Sequence, residues 1–148
     1  MVGPRKRFQI ADSAQQIVGG FLLAGPFVVT AEVWQLATNM TLLHTLVTVA
    51  IVFGIGYGAL YKADDERNPD REAEVGGIPL RFLSLMLVSF GSVAILAVAF
   101  TAPQTFLEGE DGFLTNPTTT AVLFTTMKAI SVGAIFSVVG AATADSVF

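Results

Sequence analysis

Residues 41–61 read TLLHTLVTVAIVFGIGYGALY, and residues 82–102 read FLSLMLVSFGSVAILAVAFTA; neither stretch carries a formal charge. A bilayer hydrocarbon core of about 30 Å needs about 20 apolar residues in helical form, at about 1.5 Å per residue. Each stretch has 21 residues and is therefore long enough to cross a membrane. These two segments identify a membrane protein and predict its second and third helices.

Two further apolar stretches are long enough to span a bilayer if each accepts one ionisable residue. The first predicted helix covers about residues 15–37 and contains Glu32, and the fourth covers about residues 118–146 and contains Lys128. The chain is 53% hydrophobic and 14% charged, whereas soluble domains carry about 25% charged residues. We therefore predict an all-α, polytopic membrane protein that is a single domain, a four-transmembrane-helix bundle in the plasma membrane.

The distribution of basic residues predicts the orientation, because short cytoplasmic segments collect Lys and Arg. All basic residues except Lys128 lie before the first helix or between the second and third: Arg5, Lys6, Arg7, Lys62, Arg67, Arg71 and Arg81. We expect both termini and the loop over 62–81 to be cytoplasmic. The loop over 103–117 then lies outside the cell.

The sequence contains little that could support catalysis. There is no cysteine and one histidine, His44, and there is no clustered set of metal ligands, no nucleophile motif and no phosphate-binding loop. We expect no enzymatic activity, no metal, no cofactor and no nucleic-acid partner.

Glu32 and Lys128 are the two charges that fall inside predicted spans. A charge near the middle of a bilayer costs at least about 2.5–3.5 kcal/mol, so such residues face protein or water and find a partner. They could form a structural ion pair, or each could extend its side chain to the outer headgroups. Alternatively, they could line an ion or proton path.

Small residues recur every four positions in the fourth predicted helix, at Ala129, Gly133, Ser137 and Ala141. Such a ridge lets two helix backbones approach closely in a membrane. It lies on the face opposite Lys128, so this helix has two faces that seek protein. That arrangement favours a homo-oligomer; the alternative is that the first and third helices of the same chain cover both faces.

Glycine and proline mark two other positions. Gly54 and Gly58 in the second helix predict a helix-packing face. In the first helix, Gly25 and Pro26 predict a kink, because proline lacks the backbone N–H and obstructs the preceding turn.

Four segments resemble a family of small integral membrane proteins from halophilic archaea that has no assigned function. They are ADSAQQIVGGFLLAGPFVVTAEVW (11–34), FGIGYGALYKADDERNPDRE (53–72), GIPLRFLSLM (77–86) and KAISVGAIFSVVGAATADSVF (128–148). The resemblance covers nearly the whole chain and implies an archaeal plasma membrane. It brings no activity and no functional residues.

Two functions are compatible with these observations. The leading hypothesis is a small oligomeric ion or proton channel or transporter, with Glu32 and Lys128 at or beside the path. The alternative is a non-transporting membrane scaffold, or an accessory subunit of a larger membrane complex, whose loop over 62–81 binds a partner. In both cases the lipid bilayer surrounds the helices.

Overall fold

The computed structural model describes residues 8–62, 68 and 74–147. Its α-helices are α1 (Ile10–Val28), α2 (Ala31–Asn39), α3 (Leu42–Tyr57), α4 (Leu80–Ala99) and α5 (Thr119–Val147). π-helical turns follow α3 at Gly58–Lys62 and α4 at Gln104–Glu108. The short strands β1 (Glu74–Val75) and β2 (Ile78–Pro79) pair antiparallel just before α4. The predicted helical fold is therefore confirmed.

Three helical segments are long and apolar enough to cross a membrane: Leu42–Lys62, Leu80–Ala99 and Thr119–Val147. A fourth candidate exists if α1 and α2 together make one span. The described part of the chain is thus a helical bundle with three to four candidate membrane spans. The count of four and the cytoplasmic termini stay predictions.

The first predicted helix, expected over about residues 15–37 with a kink at Gly25 and Pro26, is broken into two helices. α1 ends at Val28, α2 begins at Ala31, and their axes differ by 79°. Pro26 lies inside α1, so the sharp bend follows the proline by about one turn rather than occurring at it. The Trp34 indole N–H donates to the Val28 carbonyl oxygen at 2.9 Å, which satisfies an acceptor that the break frees.

The centre of the bundle is α5, which packs against α1, α2, α3 and α4. Its closest neighbour is α1, because glycines face each other where the two helices meet. A Cβ atom added at Gly19 would overlap the carbonyl oxygen of Gly140, and one added at Gly140 would overlap that of Gly19. The two backbones are therefore in direct contact, as small residues permit in membrane helices.

The small-residue ridge of α5 is covered within one chain. Its four members, Ala129, Gly133, Ser137 and Ala141, are all buried. A Cβ at Gly133 would lie 2.8 Å from Cγ1 of Val93 in α4, and the Ser137 hydroxyl donates to the Gly20 carbonyl oxygen in α1 at 3.1 Å.

This burial corrects the expected use of the ridge as a subunit interface. The helices that cover it are α1 and α4, which correspond to the first and third predicted helices. A second chain cannot reach the ridge while this packing persists. The homo-oligomer stays a prediction, but the argument from two protein-seeking faces no longer supports it.

Gly54 and Gly58 were expected to form a helix-packing face, but the described part of this chain does not pack closely on them. A Cβ atom at either position would have nothing within 4 Å. The close contact of α3 is made instead by Gly56, where a Cβ would lie 2.6 Å from Cε of Met86.

The contacts between α4 and α5 show how deep Lys128 lies. These helices are antiparallel, and Val93 is level with Gly133. Ala99, the last residue of α4, is six residues beyond Val93 and is therefore level with about Met127, six residues before Gly133. Lys128 thus lies where α4 ends, and not deep within the bundle. We call this end of the bundle, with α2 and the first turns of α5, the Lys128 end.

We predict that Gly19→Ala destabilises the protein by about 1–3 kcal/mol, because the new methyl group would be forced into the backbone of α5. The matched control is Gly54→Ala, also in a helix but with open space around it. That control should be neutral or stabilising by up to about 1 kcal/mol, since alanine favours helix over glycine. Thermal unfolding in detergent micelles, followed by fluorescence of the single Trp34, measures both. Equal melting temperatures for the two variants would contradict the backbone contact.

Candidate functional site: an ionic network between three helices

Arg81 connects α4 to α1 and α5 through two aspartates. Its Nη1 lies 2.7 Å from Oδ1 of Asp145, and its Nη2 lies 3.2 Å from Oδ2 of Asp12. The side chains of Arg81 and Asp145 are 3% and 0% exposed, whereas that of Asp12 is 15% exposed. We call this part of the molecule, where α1 and α4 begin and α5 ends, the Arg81 end.

Neutral side chains extend the ion pairs into a network. The Gln16 amide donates to Oδ2 of Asp145 at 3.0 Å, and its own oxygen accepts from the Ser84 hydroxyl at 2.6 Å. The Ser84 and Ser13 hydroxyls lie 2.7 Å apart. Each of these hydrogen bonds joins two different helices. Together with the ion pairs, they link α1, α4 and α5.

The local position of each charge explains why the network needs its partners. Arg81 is in the first turn of α4 and Asp145 is in the last turn of α5. A cation at a helix N-terminus and an anion at a C-terminus both oppose the helix dipole. Each charge is buried, and each is unfavourable at the end of its own helix. The ion pair between Arg81 and Asp145 offsets both unfavourable interactions.

Asp12 has a different local environment. It lies in the first turn of α1, where a negative charge is favourable. Its Oδ2 also accepts from the backbone N–H of Gln9 at 2.8 Å. Asp12 therefore retains a partner and some solvent contact even without Arg81.

The network is suited to holding helices together and not to chemistry. Both oxygens of Asp145 accept hydrogen bonds, one from Arg81 and one from Gln16. The guanidinium remains charged at any ordinary pH, so it cannot exchange a proton. Asp145 as a whole residue is only 4% exposed. A substrate therefore has no access to its carboxylate.

Beyond the network, the interior between α1, α4 and α5 changes from polar to apolar. In the middle of the bundle, the Ser92 and Ser137 hydroxyls lie 3.1 Å apart. Towards the Lys128 end most buried residues are apolar, although Thr125 and Ser131 are buried there too. We call the apolar residues the apolar cluster: Ala24, Val28, Val33, Trp34, Ala37, Val93, Ala97, Ala102, Leu107 and Ala129.

The two predicted intramembrane charges are not brought together. Glu32 is exposed in the first turn of α2, where its carboxylate accepts from the Thr30 hydroxyl. Lys128 is half-buried on α5. No ion pair joins Glu32 to Lys128, and no other described residue forms an ion pair with either of them. Gly25, from the predicted kink, has open space around it.

Metal binding finds no support in the described part of the chain. Residues 8–62, 68 and 74–147 contain no group of three or more His, Cys, Asp or Glu side chains that could hold an ion.

Sequence reasoning missed the network because it searched inside the predicted spans. Arg81 was counted with the cytoplasmic loop, and both aspartates lie at helix ends. One signal was available: the triplet Ala11-Asp12-Ser13 recurs as Ala144-Asp145-Ser146. The aspartates of both copies bind Arg81.

Comparison of the chain with protein-family models, with curated proteins and with solved structures finds no match. The resemblance to an archaeal membrane family therefore stays a prediction. The function must be argued from the geometry of this chain.

We predict that Asp145→Asn destabilises the protein by about 3 kcal/mol, because it leaves a buried arginine without its closest counter-ion. Asp12→Asn should cost clearly less, since Asp12 is partly exposed and the amide oxygen can still cap α1. Chemical unfolding in detergent gives both values.

The double variant Arg81→Gln/Asp145→Asn tests the pairing itself. It should be less destabilised than the sum of its two single variants, since neither buried charge remains. Additive effects in the double variant would contradict the pairing of Arg81 with Asp145. A loss of stability in Asp12→Asn as large as that in Asp145→Asn would contradict the larger contribution of Asp145.

Proposed function

We propose that this protein is a non-transporting membrane scaffold or accessory subunit that presents a charged cytoplasmic segment, anchored at both of its ends, to a partner. The observation that carries this proposal is the closed interior of the bundle between α1, α4 and α5. This choice favours the second of the two functions that the sequence left open.

A conducting path needs a polar lining and room for water or ions along the membrane axis. The backbones of α1 and α5 are in contact at Gly19 and Gly140. On the same pair of helices, the rings of Phe27 and Phe136 stack with centroids 3.7 Å apart. Towards the Lys128 end the apolar cluster fills the interior. These contacts favour a packed support over a pore within one chain.

The transport hypothesis depended on Glu32 and Lys128, and their placement does not support it. Both lie near the Lys128 end, one exposed and the other half-buried. The buried charges lie instead at the Arg81 end, where every oxygen of Asp145 is already bound by protein.

The geometry at the Arg81 end supports a presenting role for the segment between α3 and α4. At one base, Leu60 and Tyr61 are 0% and 7% exposed in the last turn after α3. At the other base, Arg81 is held by α1 and α5. Between these anchors the sequence over 62–74 carries nine of the 20 charged residues of the chain, with both signs. A protein surface of mixed charge is the partner that such a segment suits.

The first test is transport by purified protein in liposomes. We expect no proton or ion flux above that of protein-free vesicles, because the backbones of α1 and α5 are in contact at Gly19 and Gly140 and leave no room for water between them. An added ionophore should collapse the gradient in both. A pH-sensitive dye inside the vesicles measures proton flux. Flux that Glu32→Gln or Lys128→Met changes would establish the transport hypothesis instead.

The second test concerns the partner. Replacing residues 64–72 by a Gly/Ser segment of equal length should abolish co-purification of a specific protein from native membranes, because it removes the charges but retains both anchors. The matched control neutralises the other loop, with Glu108→Gln, Glu110→Gln and Asp111→Asn, and should retain that protein. Quantitative mass spectrometry of the purified material measures both. An identical set of co-purified proteins from both variants would contradict the presenting role.

A further inference from the structure

Lys128 is a half-buried cation without a partner in the described protein. Apart from the backbone hydrogen bonds of α5, its one hydrogen bond to the described residues is made by its backbone oxygen, which accepts from the Ser131 hydroxyl at 2.6 Å. Its ammonium forms neither an ion pair nor a hydrogen bond with residues 8–62, 68 or 74–147. An ammonium next to hydrocarbon is costly to leave without a counter-charge.

The position of Lys128 along α5 decides where its counter-charge can come from. The charged layer of Arg81 and Asp145 marks one boundary of the apolar part of the bundle. About 20 helical residues, or about 30 Å, separate the two boundaries of a bilayer core. Counting from Asp145 places the second boundary near Thr125. Lys128 is then about one turn inside it, and a lysine side chain of about 6 Å reaches the headgroup level.

The neighbours of Lys128 on α5 are suited to lipid chains. Leu123, Phe124 and Met127 are 59%, 59% and 61% exposed. These three residues precede Lys128 by one to five positions on α5. A molecule that contacts them and also Lys128 therefore has an anionic head and an apolar part.

The remaining charges at this end are acidic. Glu32, Glu108, Glu110 and Asp111 are exposed, and they repel an anion from most of this surface. Among the described residues, Lys128 is the one lysine or arginine at the Lys128 end, since Lys62 and Arg81 lie at the other end. An anionic headgroup is therefore directed to one position.

We propose that Lys128 binds the phosphate of an anionic phospholipid at this boundary, with Met127 in contact with its acyl chains and Leu123 and Phe124 beside its glycerol backbone. The site selects the lipid over free phosphate, because only the lipid also covers the apolar side chains. The proposal does not depend on whether the protein is a scaffold or a transporter.

The experiment uses the full chain in nanodiscs of phosphatidylcholine, with and without phosphatidylglycerol in both leaflets. Phosphatidylglycerol should raise the melting temperature of the wild type and of the control Glu32→Gln, but not that of Lys128→Met. Native mass spectrometry should show phosphatidylglycerol binding weakened roughly five-fold in Lys128→Met, as expected for one basic residue at a membrane surface. Inorganic phosphate should leave the melting temperature of the wild type unchanged.

Two further variants keep the test decisive. Lys128→Arg should retain the response to phosphatidylglycerol, and Lys128→Gln, which preserves a polar side chain, should lose it. An equal response in Lys128→Met or Lys128→Gln and the wild type would overturn the proposal. A shift produced by inorganic phosphate alone would also overturn it, because it would identify a site for a free anion and not for a lipid.

Discussion

The direct contact between the backbones of α1 and α5 at Gly19 and Gly140 is the constraint on which the rest of the bundle depends. A helix pair with ordinary side chains at the interface stays about 8–10 Å apart. Glycine at both positions lets these helices approach more closely. At the next residue of α1, the Gly20 carbonyl oxygen comes within 3.1 Å of the hydroxyl of Ser137, which lies about one turn from Gly140 on α5. In the other direction, Gln16 comes within 3.0 Å of Asp145.

The two ends of the bundle are closed by different physical means. At the Arg81 end, charges and amides from three helices satisfy one another, and each contact is directional. At the Lys128 end, the apolar cluster is closed by Trp34 and Leu107, which are 1% and 0% exposed. Directional ion pairs define a single relative position of helices, whereas apolar packing tolerates more adjustment.

The bend between α1 and α2 brings α2 into contact with the Gln104–Glu108 turn at the Lys128 end. Without it, residues 31–39 would continue along α5. With it, α2 crosses the end of the bundle, and its Trp34 packs on Phe106 with ring centroids 5.9 Å apart. The bend also places Glu32 at the surface, which is why a glutamate in an otherwise apolar stretch needs no buried partner.

Periodicity, span length and composition determined the helical membrane class of this protein, because each apolar helix must by itself match the thickness of a bilayer. The ends of most helices agreed with those predictions to within a few residues. The sequence also identified the ridge of Ala129, Gly133, Ser137 and Ala141 as a packing surface, since small residues have this effect in any membrane helix. It did not determine which helix covers the ridge.

The tertiary structure decided the partners. Arg81 is 64 residues from Asp145 and 69 residues from Asp12 along the chain. Only the packing of α5 antiparallel to α1 and α4 brings the three charges together. The depth of Lys128 depended on the same register, because the 29 residues of α5 exceed the length of a single span. Local sequence specifies which residues are helical and apolar. The relative position of helices is a property of their mutual contacts, and it decides whether a charge is buried, paired or exposed.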